Sequence, residues 1–141
     1  MSQLQPAVAS AIATWHQMVA SKNLSGLAAM LHADAVFRSP MAFQPYASAQ
    51  AVLLILSTVV TVFEDFTYHR ELASEDGLSV ALEFSARVGD KQLKGIDLIQ
   101  FDADGKIVEF EVMVRPLSGL QALGQEMGAR LAQTLPALKK N

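Results

Sequence analysis

Apolar side chains recur at helical spacing near the start of the chain and again in its second quarter. The first run predicts an amphipathic helix over residues 6–20, with Pro6 in the first turn, where proline is tolerated. The second run extends from a capping Ser48 to about Val62 and is apolar nearly all round, which indicates a helix buried between layers. The apolar positions of the first run are Val8, Ile12, Trp15 and Val19.

Between these two runs the pattern predicts only short elements. Asn23 or Ser25 can cap a short second helix. Residues 36–39 predict a short strand that Pro40 ends, because proline cannot donate a hydrogen bond to a sheet. Residues 41–47 predict a loop that either rims a cavity or packs over the core.

The second half of the chain alternates apolar and polar residues with the period of a strand. Strands are predicted over residues 66–72 and 78–88, followed by a hairpin over 91–116. A final helix is predicted from Ser118, where Gln121 completes a capping box, and the tail at 139–141 is expected to be frayed. This order predicts one α+β domain over residues 1–141, in which a curved, mostly antiparallel sheet wraps around the N-terminal helices.

The hairpin contains one acid, Asp97, inside an otherwise apolar strand. A two-residue turn at Asp104-Gly105 puts Asp97 on an apolar face, whereas a three-residue loop shifts the register by one and puts it on the opposite, charged face. We prefer the first register because it keeps the apolar residues together. That register pairs Phe101 with Val108, Ile99 with Phe110, and Asp97 with Val112.

A carboxyl group on an apolar face responds to desolvation with a raised pKa. A raised pKa in a cavity is what a general acid or base requires, so Asp97 is the candidate catalytic residue. The alternative is a structural acid that a Tyr, His, Arg or water satisfies. In the strand at 66–72, His69 and Arg70 alternate, so one of them is expected to face inward, and Tyr68 shares the face of Arg70. Tyr68 or His69 could hold Asp97.

Composition narrows the classes of function. The chain has 141 residues, a net charge of −3 and no basic stripe, which argues against nucleic-acid binding. It has no cysteine, and His16, His32 and His69 lack the spacing of a ligand cluster, so we expect neither a metal nor a cofactor. The N-terminus does not read as a signal peptide, and the longest apolar run is too short to span a bilayer, so we expect a cytoplasmic protein without membrane contact.

Hydrophobic residues make up 51% of the chain, so a cavity or a subunit interface must absorb the excess. The strand over 91–101 is apolar on both faces. Its outer face carries Ile96 and Leu98, has Met113 beside it, and predicts a homodimer. The alternative is that the final helix folds back over this face through Leu120, Leu123 and Met127.

Several short motifs occur in order along the chain: Asp34-Ala35-Val36-Phe37, Ser39-Pro40, Gly95-Ile96-Asp97, the turn from Phe101 to Ile107, and Glu109. Together they resemble the nuclear transport factor 2-like superfamily, and among its branches the SnoaL-like polyketide cyclases. The resemblance covers nearly the whole chain and implies a cone-shaped, cystatin-like α+β barrel with a deep pocket, usually dimeric through the outer sheet face. It implies diverse functions, from isomerases, cyclases, dehydratases and epoxide hydrolases to members with no known activity.

The chain departs from the enzymes of this superfamily at three places. Steroid isomerases of this fold have a catalytic acid near the position of Ser39-Pro40, where this chain has none. Epoxide hydrolases need an Arg and a second inward acid, often at the position of Val112. Dehydratases and cyclases often use a His where this chain has Phe110. The resemblance therefore implies an unusually apolar pocket.

Two functions remain open on the sequence. The first is an isomerase, cyclase or hydrolase that acts on a small hydrophobic molecule through Asp97. The second is a non-catalytic ligand-binding or dimeric scaffold domain with the same pocket. The residues predicted to line the pocket are Trp15, Phe43, Tyr46, Tyr68, Ile99, Phe110 and Val112.

Overall fold

A computed structural model describes residues 3–132 of the chain, so the predicted frayed tail at 139–141 lies outside the described residues. None of the helices in this range is both long enough and apolar enough to cross a membrane. The helices are α1 (Pro6–Ser21), α2 (Ala49–Val62) and α3 (Leu117–Leu131). The strands are β1 (Leu31–Arg38), β2 (Glu64–Ala73), β3 (Ser79–Val88), β4 (Lys91–Phe101) and β5 (Ile107–Arg115).

The five strands form one open sheet in the order β1-β5-β4-β3-β2. The pairs β2–β3, β3–β4 and β4–β5 are antiparallel, and β1 pairs with β5 in parallel, so the sheet is mixed. The predicted α+β class, with a mostly antiparallel sheet, is confirmed. The side chains that alternate inward on β3 are buried as the sequence predicts: Val80, Leu82, Phe84, Ala86 and Val88.

The β4–β5 hairpin has the preferred register along most of its length, with Ile99 opposite Phe110. The predicted turn is wrong in detail, because the connection extends over residues 102–106 and the Asp102 carboxylate accepts hydrogen bonds from two backbone N–H groups within it, at 2.9 and 3.0 Å. Phe101 pairs with Ile107 rather than with Val108. The extra residue, Val108, forms a β-bulge. The predicted two-residue turn would put Ile107 on the outer face, but the bulge turns this side chain inward, where it is buried.

A second bulge corrects the prediction for β2. Tyr68 pairs with Phe84 and Glu71 pairs with Leu82, so β2 has one residue more than β3 between these pairs. His69 and Arg70 therefore both contact outward-facing residues of β3, and neither faces inward. Tyr68 does not share the face of Arg70, because the extra residue breaks the alternation.

The short elements also differ from the predictions. The short second helix is a single 3₁₀ turn, Leu27–Met30, and β1 begins at Leu31, five residues earlier than expected. Ser48 caps α2 as predicted, since its hydroxyl accepts from the Ala51 N–H at 2.9 Å. Helix α3 has Pro116 at its N-cap and no side-chain capping hydrogen bond, so the predicted capping box is wrong.

Helices α1, α2 and α3 all pack on the inner face of the sheet. Leu123 of α3 belongs to a buried cluster with Phe63, Phe84 and Leu93, which are residues of that inner side. The alternative in which the final helix folds back over the outer face is therefore wrong. Ile96, Leu98 and Met113 remain 38–47% exposed on that face.

Candidate active site

A cavity of about 200 Å³ lies between the three helices and the inner face of the sheet. Its walls are mostly apolar and aromatic. Among the described residues that line it, none is Lys, Arg or His, and Asp97 is the one acid. The other lining residues with polar side chains are Trp15, Ser39, Tyr46 and Tyr68.

Asp97 projects into this cavity from the middle of β4. Its neighbours in the sheet are Leu82 on β3 and Val112 on β5, so both flanking side chains are apolar. The residue is only 6% exposed. Its Oδ2 accepts a hydrogen bond from the Tyr68 hydroxyl at 2.6 Å, and the Tyr68 oxygen accepts one from the Trp15 Nε1–H at 2.9 Å. Three residues from α1, β2 and β4 thus form one hydrogen-bonded chain.

Burial raises the pKa of Asp97 to about 7, because water no longer stabilises the charged form. The Tyr68 hydrogen bond opposes this rise, since it stabilises the carboxylate. Burial and then the charge of Asp97 raise the pKa of Tyr68 well above its usual range, so the phenol stays protonated. A carboxyl group with a pKa near 7 is available both as a proton acceptor and as a proton donor at neutral pH.

Tyr68 reaches Asp97 because of its place in β2 and the rings around it. It pairs with Phe84 next to the bulge, and the ring of Phe66 packs edge-on against it at a centroid distance of 4.8 Å. The ring of His16 also packs edge-on against it at a centroid distance of 5.0 Å, and the His16 Nε2 contacts the Glu71 Oε1 at 3.0 Å. These contacts restrict the phenol to one orientation.

The structure brings most of the predicted pocket residues together but not all of them. Trp15, Tyr46, Tyr68, Phe110 and Val112 line the cavity beside Asp97. Phe43 does not, because its side chain is 91% exposed on the loop after β1. Ile99 does not either, because it is fully buried in the core, one alternation beyond Asp97 along β4.

Sequence reasoning missed the contribution of α2 and α3 to the cavity. The helical spacing of their apolar residues predicts burial but does not separate core from cavity wall. Met41 of the loop lies against Gly124, where an added Cβ would come within 2.5 Å of the Met41 Cε. The missed lining residues include Val59, Leu123, Gly124 and Met127.

The three departures from related enzymes are visible in the cavity wall. Ser39, Pro40 and Met41 line it without a carboxyl group, and Phe110 and Val112 present apolar side chains. Within residues 3–132, no group of three or more His, Asp or Glu residues is arranged to hold a metal ion. The site offers one titrating carboxyl group, a tyrosine that holds it, and an apolar surround.

The model of the SnoaL-like domain matches residues 12–110, which include the second half of α1, the first four strands and Asp97. The chain belongs to the SnoaL-like domain family. This family has the nuclear transport factor 2-like fold that the motifs imply, so the resemblance is confirmed. A comparison with curated proteins finds no match.

Solved structures of SnoaL-like and related folds are similar to the chain. A steroid delta-isomerase from Pseudomonas aeruginosa is 64% identical, with 96% of this chain and 99% of that one covered and a TM-score of 0.92. A protein with a cystatin-like fold from Silicibacter pomeroyi is 32% identical, with coverages of 95% and 91% and a TM-score of 0.83. SalBIII, an epoxide hydrolase/cyclase-like enzyme of polyether salinomycin formation, is 17% identical, with coverages of 83% and 96% and a TM-score of 0.67. That third likeness concerns the fold alone.

Proposed function

We propose that this protein is an isomerase that moves a proton within an uncharged, mainly apolar molecule, with Asp97 as the acid and base. The observation that carries the proposal is a buried carboxyl group, with a pKa of about 7, that faces an apolar cavity. Such a group accepts a proton when ionised and returns it when protonated, which is the requirement for isomerisation by a single residue. The identity of 64% to a protein called a steroid delta-isomerase supports this class of reaction.

The charge of the cavity restricts the ligand. No Lys, Arg or His is among the described lining residues, so an anionic group would enter without a counter-ion and would face Asp97. Burying an unpaired charge is costly, and a second negative charge beside Asp97 adds repulsion. We therefore assign the site an uncharged ligand whose polar group is a carbonyl or hydroxyl.

The size of the cavity also bears on the ligand. At about 200 Å³ it is larger than the ~150 Å³ cavity known to admit benzene and smaller than the ~300–1,000 Å³ of drug-sized sites. One or two rings fit this space. A ligand of four fused rings would require α3 to move outward, since Leu123, Gly124 and Met127 form part of the wall.

The proposed reaction balances without a co-reactant. Ionised Asp97 takes a proton from the carbon next to a carbonyl group, and the electron pair of that C–H bond moves into an enolate. Protonated Asp97 then gives the proton to the far carbon of the neighbouring double bond, which becomes conjugated with the carbonyl. Asp97 returns to its ionised form, and the product is an isomer of the substrate.

The test uses β,γ-unsaturated ketones of one, two and four rings, with the absorbance of the conjugated enone as the readout. We expect turnover by the wild-type protein and a loss of roughly a hundred- to ten-thousand-fold in kcat/KM in Asp97→Asn, because the amide cannot accept the proton. The matched control is Asp34→Asn, the same change at an exposed position of β1. Turnover by Asp97→Asn at the wild-type rate would contradict the proposal.

A second candidate function is binding of the same ligand without turnover. It is favoured by the apolar side chains of Phe110 and Val112 and by the hydrogen bond that engages the Tyr68 hydroxyl with Asp97. Asp97 is the one acid among the described lining residues. Quenching or enhancement of the fluorescence of Trp15, which lines the cavity, reports binding directly. Binding of the unsaturated ketones by the wild-type protein without conversion would favour this function over the isomerase.

A further inference from the structure

We propose that Trp15 is a positioning residue for Asp97: through the Tyr68 hydroxyl it fixes Oδ2 as the acceptor and leaves Oδ1 as the oxygen that exchanges a proton with the ligand. This inference rests on the proposed role of Asp97 and concerns a residue that lies one hydrogen bond away from it. The three side chains come from positions far apart in sequence, on α1, β2 and β4.

The direction of the hydrogen-bonded chain follows from the chemistry of its first member. An indole nitrogen donates and cannot accept, so the Trp15 N–H must donate to the Tyr68 oxygen across the 2.9 Å contact. The phenol has one proton, and the hydroxyl directs it to the Asp97 Oδ2 at 2.6 Å. If Asp97 were protonated on Oδ2, the Tyr68 proton would have to turn towards another acceptor.

The described residues around Tyr68 offer no good alternative acceptor for that proton. Phe66 and His16 both pack edge-on against the phenol ring, at centroid distances of 4.8 and 5.0 Å. The His16 Nε2 is engaged with the Glu71 Oε1 at 3.0 Å. The proton of neutral Asp97 therefore resides on Oδ1, the oxygen without a partner in this chain of bonds.

Trp15 also strengthens the middle bond. Burial and then Asp97 raise the pKa of Tyr68, and the hydrogen bond from Trp15 opposes them, so it makes the phenol a better donor. Successive hydrogen bonds polarise one another in a low-dielectric interior. Loss of the indole donor should weaken the Tyr68 bond to the carboxylate and so raise the pKa of Asp97 further.

The hydrogen-bonded chain from Trp15 through Tyr68 to Asp97 is called the relay below. Experiments can distinguish Asp97 from the other titratable groups that face this relay. His16 of α1, paired with Glu71 of β2, packs against the Tyr68 ring, and Tyr46 lines the same cavity as Asp97. The chain has one tryptophan, so its indole N–H gives one cross-peak in a ¹H–¹⁵N spectrum. That cross-peak reports the relay without any substrate.

The first experiment is a pH titration of this indole cross-peak. We expect an inflection near the pKa of Asp97, about 7, because ionisation of the carboxyl group is transmitted through Tyr68. The inflection should disappear in Asp97→Asn and persist in His16→Gln. A cross-peak that stays flat through this range in the wild type, or whose inflection follows His16, would overturn the inference.

The second experiment measures the pKa of Asp97 by ¹³C NMR in the wild type, Tyr68→Phe, Trp15→Phe and the double variant. Tyr68→Phe should raise this pKa by about one to two units, which corresponds to the loss of a hydrogen bond to a charged group. Trp15→Phe should raise it by about half a unit. The double variant should match Tyr68→Phe alone, because Trp15 acts only through Tyr68. An equal effect of Trp15→Phe with and without Tyr68 would overturn the relay. If Trp15→Phe does not fold, the wild-type titration still decides.

The test of the relay can succeed or fail independently of the test of the proposed isomerase function. If the relay is present and Asp97→Asn keeps full turnover, the isomerase proposal fails and the relay remains a structural feature. If Asp97 is catalytic, the midpoint of the pH dependence of kcat/KM should shift in Trp15→Phe by the same amount as the pKa of Asp97. A purely structural role for Trp15 would leave that midpoint unchanged.

Discussion

Folding removes the Asp97 carboxyl group from water, and none of the described residues that line its cavity is a cation, so this group contributes to the pH dependence of stability. Its pKa rises from 3.8 to about 7. Between these values the unfolded chain has released a proton that the folded chain retains. The contribution of Asp97 to stability is therefore complete below about pH 4 and is lost as pH rises through about 7.

At the scale of this residue, Asp97→Asn should be more stable than the wild type at pH 8, by up to about 4 kcal/mol, since each unit of pKa shift corresponds to ~1.4 kcal/mol. Near pH 4 the difference should vanish, because a neutral acid and an amide are similar. Urea unfolding at both pH values measures this.

The control for that experiment is Asp76, an exposed acid in the β2–β3 turn. The hydroxyl of Ser74 and then the Leu78 N–H hold the pKa of this carboxyl below its usual range. Asp76→Asn should therefore destabilise the protein at pH 8, the opposite sign to Asp97→Asn. Equal stability of wild type and Asp97→Asn at both pH values would contradict the burial of the Asp97 carboxyl group in an apolar cavity.

At the scale of the elements, β4 depends on a close approach at Gly95. A Cβ at this position would lie 2.5 Å from the Met113 carbonyl oxygen and from the Phe84 Cζ. The backbone oxygen cannot move aside cheaply, so Gly95→Ala should destabilise the protein by about 1–3 kcal/mol. The matched control is Gly128→Ala on α3, where nothing lies within 4 Å of the added Cβ and the better helix former should stabilise by about 0.5–1 kcal/mol. Loss of stability in both variants, or in neither, would contradict the packing of β4.

How far the sequence predicts these elements depends on the kind of signal. Alternation gives the inward face of β3 and the pairing of Ile99 with Phe110, because both follow from burying one face. The bulges at Val108 and next to Tyr68 could not be predicted. Ile107 and Val108 are both apolar, and His69 and Arg70 are both polar, so the pattern does not show which residue is the extra one. The bulges decide which side chains face the cavity.

The candidate site likewise combines a feature that the sequence shows with features that it does not show. Asp97 is visible in the sequence as an acid among apolar residues. Its link to Trp15 through Tyr68 joins positions 53 and 29 residues apart, and no local pattern contains that information. The position of α3 on the inner face likewise depends on tertiary packing, and it supplies part of the cavity wall.

At the scale of the whole molecule, we propose that two copies pair through the outer face of the sheet. Ile96 and Met113 are paired across β4 and β5, and with Leu98 they form an apolar patch that α3 does not cover. A two-fold axis would cover such a patch with its own copy. Around it, Arg70 and Lys94 neutralise Glu83 and hold its pKa well below its usual range.

Light scattering in the micromolar range measures the assembly. We expect twice the 15.2 kDa mass of one chain. Leu98→Glu should give a monomer, because a charge at the centre of the patch cannot be buried, while Leu117→Glu, at the exposed start of α3, should not change the mass. A wild-type mass of 15.2 kDa would exclude the dimer.

Asp97 is a buried carboxyl group that can gain or lose a proton near neutral pH, and both the proposed reaction and the role of Trp15 depend on this property. The most direct test is a ¹³C NMR titration of its side-chain carboxyl, assigned by comparison with Asp97→Asn. We expect a midpoint near pH 7, well above those of exposed aspartates. A midpoint close to the ordinary value of about 4 would mean that Asp97 is solvated or paired with a cation, and it would remove the basis for proton transfer at this site.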